Sequence, residues 1–569
     1  MIVADPRIDP SANDNEAIKY AAVYGKLEIV EILLTDSRVD PSAGDNYVIR
    51  LAAECGKSRV IELLLTDSRV DPSANDNYAI RHAARYGHPR VVKLLMADSR
   101  VDPSADNNQA IPYAADYGHV RVIELLLKDP RVDPSAYNNC ALRCAARNGH
   151  LEVVELLIAD SRVNPTACDN DAIRSAAQFG YWQIVESLIA DSGVDPSAGD
   201  NHAIRLAARN KHQEVVEVLL ADSRVDPSAC NNYAIRTAAE NGHLGIVKML
   251  LTDSRVDPSS NDNYALRLAD LEVYGHLQIV ELLLADSRVD PSANDNDAIC
   301  YAAAKGHLGV VEILLADSRV DPSVDNNFPI RYATLNGHQR VVEVLIADSR
   351  VDPSADGNYA IRYAADLGHL RLVELLMADS RVDPSAGSDY PIRYAAEKGH
   401  LRVVEMLLTD ARVDPSACNN YAVRYAAQYG HLRVVELLLS NSRVDPTSLN
   451  NEAIRYAAEN GYQEVVEVLL ADSRVDPSAH YNFAIQHAAQ NGHQGISKML
   501  LADSRVDPST NDNYALRLAV TNGHLEVVRM LLTDSRVDPS SCNGEVMRKA
   551  SERGYTEVIE LLLQDSRMH

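Results

Sequence analysis

The sequence predicts an all-α solenoid of about eighteen stacked helix–turn–helix units joined by short hairpins or loops. Three observations predict it. Asp-Pro steps recur at a spacing of 31 residues, as at Asp40-Pro41, Asp71-Pro72, Asp102-Pro103 and Asp133-Pro134. Between successive steps lie two apolar runs with helical spacing. A Gly-His pair separates the runs in most copies, as at Gly87-His88 and Gly149-His150. A fixed period of this length marks a repeat array, which overrides the expectation of several globular domains for 569 residues.

One unit, at 71–100, shows how residues set elements. Asp71-Pro72 holds the chain extended, because a residue before proline is pushed out of the helical region. Ser73 to Asn77 is a polar connection, with Asn77 placed to cap a helix. Ile80, Ala83 and Ala84 fall at i, i+3 and i+4 on one face, and the alanine pair admits a close neighbour. Gly87 ends that helix in a position suited to the left-handed conformation. Val91, Val92, Leu94, Leu95 and Met96 give the second helix a broad apolar face. Arg100 suits the negative end of that helix and offsets Asp98.

Along the chain, helix pairs are expected to begin near Glu16, Tyr47, Tyr78, Gln109, Cys140, Asp171, His202, Tyr233 and Tyr264. They continue near Asp297, Phe328, Tyr359, Tyr390, Tyr421, Glu452, Phe483, Tyr514 and Glu545. Residues 1–569 thus read as a single array. The last pair, 545–569, carries Lys549, Ser551, Glu552, Arg553 and Thr556 and is polar as a terminal cap requires. Departures cluster between 179 and 274. Phe179, Tyr181 and Trp182 replace the usual turn residues, Gly193 replaces the arginine of Asp-Ser-Arg, and Lys211 stands where most copies have glycine. Two extra residues fall within Asp270 to Tyr274, where they lengthen or bulge a first helix. Drift in a redundant array and a bend or weak point around 193–275 are both readings of this cluster.

The formal charge is −26, from 55 basic and 81 acidic residues. Nucleic acid and anionic membrane surfaces are disfavoured partners, since both require a basic stripe. A neutral or basic protein surface is the expected partner, met by a monomer. No run approaches the 18 apolar residues of a spanning helix, and the N-terminal stretch lacks the apolar core of a signal peptide. The eight cysteines are scattered among the copies, against a disulfide framework and for a reducing compartment. The expected location is cytoplasmic, nuclear or in a host cytoplasm, and not secreted.

The sequence predicts no catalytic, cofactor or metal site. A histidine that recurs in most copies, as at His88, His119 and His150, is a structural turn residue expected to bond across the helix–helix turn. Cys140, Cys144 and Cys168 bring three thiols near one another but no fourth ligand at a metal-like spacing. There is no glycine-rich phosphate loop, no G-x-S-x-G elbow and no unique carboxylate pair.

The second half of each unit carries a family resemblance. Gly149-His150-Leu151-Glu152-Val153-Val154-Glu155-Leu156-Leu157 is similar to the turn and second helix of an ankyrin repeat. The first half departs: Tyr78-Ala79-Ile80-Arg81 stands where that family has Thr-Pro-Leu-His. The period is 31 rather than 33, so a shortened hairpin is expected. The resemblance extends to repeat arrays of large DNA viruses and protists, which implies a host-directed or signalling adaptor. It also implies that hairpin tips and first-helix ends line a concave, partner-binding face.

Two aromatic columns lie one turn apart on the first helices. Tyr301, Tyr332, Tyr363, Tyr394, Tyr425 and Tyr456 form the inner one; Phe328, Tyr359, Tyr390 and Tyr421 belong to the other. Tyrosine is rigid, amphipathic and often dominant in interfaces. Packing between units is the alternative role of both columns. With the variable positions Asp356, Asp366 and Leu367, these aromatics are the candidate contact residues. The expected function is a non-catalytic protein-binding scaffold or adaptor; the alternative is a structural or elastic spacer without a specific partner.

Overall fold

The computed structural model describes residues 9–271, 276–542 and 544–568. Among them there are eighteen helix pairs and no strand. The chain divides into two compact units, residues 1–290 and 291–569. Within each unit every first helix packs on its own second helix and on the first helices of the adjoining repeats. The core follows the predicted pattern. In the third repeat Ile80, Ala83, Ala84, Val91, Val92 and Leu95 are all fully buried, while Leu94 and Met96 are half-buried.

The connection between repeats is not a hairpin. Residues Ala74–Arg85 open with three successive left-handed residues, Asn75, Asp76 and Asn77, at φ of 56°, 51° and 56°. The right-handed helix begins at Tyr78, where the sequence placed it. Such a turn recurs through both units. Left-handed backbone costs about 1–2 kcal/mol per residue for ordinary side chains and less for Asn and Asp, which explains their abundance here. Arg81 offsets part of the cost: its Nε donates to the Asp76 carbonyl at 2.8 Å and its Nη2 to the Asn75 carbonyl at 3.0 Å. The arginine of Tyr-Ala-Ile-Arg therefore braces its own turn.

Three ladders join neighbouring repeats. The first corrects the expectation that Asn77 caps a helix. Its side-chain Oδ1 instead accepts the Asp102 backbone N–H of the next repeat at 2.8 Å. Asn420 does the same with Asp445 at 2.7 Å. Among the described residues only Asp389 puts a carboxylate in this place, accepting from Asp414 N–H at 2.6 Å. The second ladder corrects the reading of the recurring histidine. His119 donates from Nε2 to the Arg85 carbonyl of the preceding repeat at 2.9 Å, rather than across its own turn. Its ring lies against Gly87, at φ +71°, so a side chain there would meet both strain and the imidazole.

The third ladder is the arginine of Asp-Ser-Arg. Arg100 pairs with Asp98 at 2.7 Å and also donates to the Val70 carbonyl at 2.8 Å and the Leu65 carbonyl at 3.3 Å. Hydrogen bonding to Arg100 holds the Asp98 carboxyl below its ordinary range. Gly193 breaks this ladder once. Lys211 keeps the left-handed backbone expected of its position, at φ +68°, at a cost of about 1 kcal/mol. Of the two-residue insertion, Asp270 and Leu271 continue the helix Ser260–Leu271, and residues 272–274 lie outside the described residues. In the last repeat Ser551, Glu552, Arg553 and Thr556 are exposed.

Candidate functional site

The first helices of the second unit carry the aromatic columns. In Ala355–Asp366, Tyr359 and Tyr363 are one helical turn apart and their rings stack at 4.2 Å between centroids. The same pairing joins Phe328 to Tyr332 at 3.9 Å, Tyr390 to Tyr394 at 3.9 Å and Tyr421 to Tyr425 at 4.0 Å. Tilted contacts then cross between repeats: Tyr363 to Tyr390 at 6.1 Å and Tyr394 to Tyr421 at 5.8 Å. Tyr429 extends the series from Tyr425 at 6.4 Å. All eight paired rings are half-buried, Tyr429 is exposed, and neither column is core. At the ends, Tyr301 is exposed and Tyr456 meets Phe483 edge-on at 6.5 Å.

The sequence missed the cations that interleave with these rings. Arg331 lies over Tyr359 at 5.2 Å, Arg362 over Tyr390 at 4.8 Å and Arg393 over Tyr421 at 5.1 Å, each reaching from one repeat onto the next. The signal was present as the arginines three residues after Phe328, Tyr359 and Tyr390. A guanidinium within about 6 Å of a ring face is attracted to it, so the rings are held by stacking on one side and by charge on the other. Burial raises the Tyr359 phenol and lifts that of Tyr390 to about 12, with Asp366 and neighbouring rings adding to the effect. Burial and a hydrogen bond from Tyr421 to Glu397 raise Tyr421 as well.

The predicted acidic and apolar positions border this array. Asp356 sits on the left-handed turn and pairs with Arg331 at 2.9 Å. Asp366 faces Tyr390, whose hydroxyl approaches Oδ2 at 3.5 Å, while Oδ1 is buried without a partner. Leu367 is 45% exposed at the end of the helix. The residues that vary after Pro-Ser-Ala or Pro-Thr-Ala, among them Tyr137, Cys168, Asp356, Cys418 and His480, are exposed on the left-handed turns. Of the three thiols, Cys140 and Cys144 meet at 3.7 Å, and Cys168 is exposed on the next turn. Among the described residues no group of three or more His, Cys, Asp or Glu could hold a metal ion.

A family model described as "Ankyrin repeats (3 copies)" matches nine overlapping stretches: 49–138, 80–169, 173–262, 236–326, 263–355, 299–388, 331–417, 392–481 and 485–569. The chain belongs to the ankyrin-repeat family. Its ankyrin repeats keep the apolar second helix and Gly-His turn but brace the first helix with arginine. Among curated proteins, none matches the chain. No helix among the described residues of this ankyrin array is long and apolar enough to cross a membrane.

Proposed function

We propose that this ankyrin-repeat protein is a non-catalytic scaffold that binds a protein partner on the first-helix face of residues 328–429. One observation carries the reading: a run of stacked and tilted rings spanning four repeats, left half-exposed although the adjoining core excludes solvent completely. Rigid rings lose little conformational entropy on binding, and pre-ordered cations keep them in place. Exposed Leu367 and Tyr429 add apolar area at the helix ends. The charge of −26 favours a neutral or basic partner surface over nucleic acid or an anionic membrane. A monomer in a reducing compartment, cytoplasmic or nuclear, suits the free cysteines.

The recurring asparagine, histidine and arginine ladders favour a second reading, a spacer whose repeats serve only each other. Affinity capture from the native cell separates the two. A scaffold captures a specific, saturable partner, and loses it when Tyr359, Tyr363, Tyr390 and Tyr394 become alanine with helicity unchanged by circular dichroism. Failure of the wild-type chain to retain any partner supports the spacer and removes the scaffold.

A further inference from the structure

Two thiols stand together on the first helix of the fifth repeat, Ala136–Asn148. Cys140 and Cys144 are one turn apart, with Sγ atoms hydrogen-bonded at 3.7 Å. Both are half-buried and line a groove of about 530 Å³ that also takes in Tyr113 of the preceding repeat and Tyr137. The groove is weighted toward positive charge, with Arg143 and Arg147 against the single carboxylate of Asp116. Arg147 Nη2 lies 3.9 Å from Cys144 Sγ and 3.6 Å from Asp116 Oδ1. That Asp116 oxygen also accepts from Asn148 at 2.7 Å, and Arg143 is tied to Asp171 at 3.2 Å outside the groove.

These neighbours divide the two sulfurs into unlike roles. Either sulfur can donate to the other; with Cys144 donating, that hydrogen bond together with Arg143 and Arg147 holds the Cys140 thiol down at about 6 against burial and Asp116. Cys144 is driven the other way by that hydrogen bond, by burial and by the Cys140 charge. In that arrangement Cys140 is the nucleophile and Cys144 its hydrogen-bond donor. Bonding to each other is disfavoured by the helix itself. Residues four apart hold their Cβ atoms about 5–6 Å apart, whereas a disulfide spans about 3.5–4.5 Å.

We propose that Cys140 is a thiol-exchange site, where an acidic low-molecular-weight disulfide enters the groove and leaves half of itself as a mixed disulfide. The Cys140 thiolate attacks one sulfur of the incoming disulfide, an S–S bond forms to the protein, and the original S–S bond breaks. The departing thiolate takes a proton from water. Cys140 is oxidised and the small disulfide is reduced by the same electron pair. Arg147, itself half-exposed, is available to the carboxylates of the incoming molecule.

Glutathione disulfide is the probe, added to the reduced full-length chain, with peptide mapping to locate the product. The exposed thiols of Cys55, Cys168, Cys230 and Cys418 serve as internal standards. Near pH 6 a thiol held near 6 is about 100-fold richer in thiolate than an ordinary one, and its lower nucleophilicity gives back about tenfold. Cys140 is therefore expected to gain a glutathionyl group about tenfold faster than the standards at pH 6, and to lose that lead by pH 8.5. Cys144→Ala removes the hydrogen-bond donor and shrinks the lead at pH 6, with helicity unchanged. Uncharged hydroxyethyl disulfide reacts several-fold more slowly at Cys140 than the glutathione probe. Cys140 reacting no faster than Cys55 at pH 6 overturns the site. A product lacking two hydrogens and joining Cys140 to Cys144 overturns it too, and equal rates for the two probes overturn the acidic ligand.

Discussion

Arginine in place of Gly193 is expected to repair the one gap in the arginine ladder. On either side, Arg162 reaches the Val132 carbonyl at 2.7 Å and the Leu127 carbonyl at 3.0 Å, and Arg224 reaches the Val194 carbonyl at 2.8 Å. Gly193 has no guanidinium to offer Val163. Val163 is 8% exposed, against 0–2% for its counterparts in the other repeats. A restored arginine would form two hydrogen bonds from a charged group to carbonyls, worth about 3–4 kcal/mol together. The exposed pairing with Asp191 adds less than about 1 kcal/mol. Ordering the side chain takes back about 2 kcal/mol. The net expectation for Gly193→Arg is about 1–2 kcal/mol of local stabilisation. Trp182, the only tryptophan, lies in the second helix Trp182–Ile189 of the same repeat and reports the change directly. With an m-value of about 2 kcal/mol/M, its fluorescence midpoint in urea rises by about 0.5–1 M. Arg224→Gly moves the midpoint the other way. If neither substitution shifts the Trp182 transition, the ladder does not stabilise the array and the proposed weak point at 193–275 has no basis in this contact.

Asp389 is the lone carboxylate in the asparagine ladder, 8% exposed, and burial raises it above the ordinary Asp range. The protonated form is the better folded one, so its contribution is present at low pH and is lost as pH rises through the raised value. Asp389→Asn is therefore expected to stabilise at pH 7, with the gain lost as pH falls below the ordinary Asp range, in paired urea melts. Ser497 takes the place of a core valine, fully buried, with its hydroxyl unpartnered. Ser497→Val is expected to raise stability by about 1–3 kcal/mol, read from thermal melts. Asn420→Ala leaves the Asp445 N–H without its acceptor and is expected to cost about 1–3 kcal/mol, with increased amide exchange at Asp445.

Much of the array was legible because it follows local rules. Helix starts such as Tyr78, the Ile80-Ala83-Ala84 face, and the left-handed glycine position depend on residues close in sequence. Even Lys211 was placed by analogy with its glycine counterparts. The ladders were not legible, because each joins residues 25 to 35 positions apart, as Asn77 joins Asp102 and Arg100 joins Leu65. A residue repeated in every copy reveals that it matters to the scaffold, not which neighbour it touches. Asn77 therefore read as a cap, its commonest local role. The three-residue left-handed turn was hidden for a related reason, since Tyr137, Cys168 and Leu449 rarely adopt that backbone elsewhere. At the candidate site the tyrosine columns were visible from spacing alone. The arginines between them read as scaffold, although they brace the turn and lie over the rings at once.

The most direct test of a binding face at 328–429 is the affinity of a captured partner for three purified chains. These are the wild type, the Tyr359/Tyr363/Tyr390/Tyr394→Ala variant, and a Trp182→Ala control that alters an aromatic in the other unit. Central aromatic anchors each carry about 2 kcal/mol or more. The account predicts that Kd rises at least thirtyfold in the tyrosine variant and stays unchanged in the control, with circular dichroism the same for all three. An unchanged Kd in the tyrosine variant would contradict it.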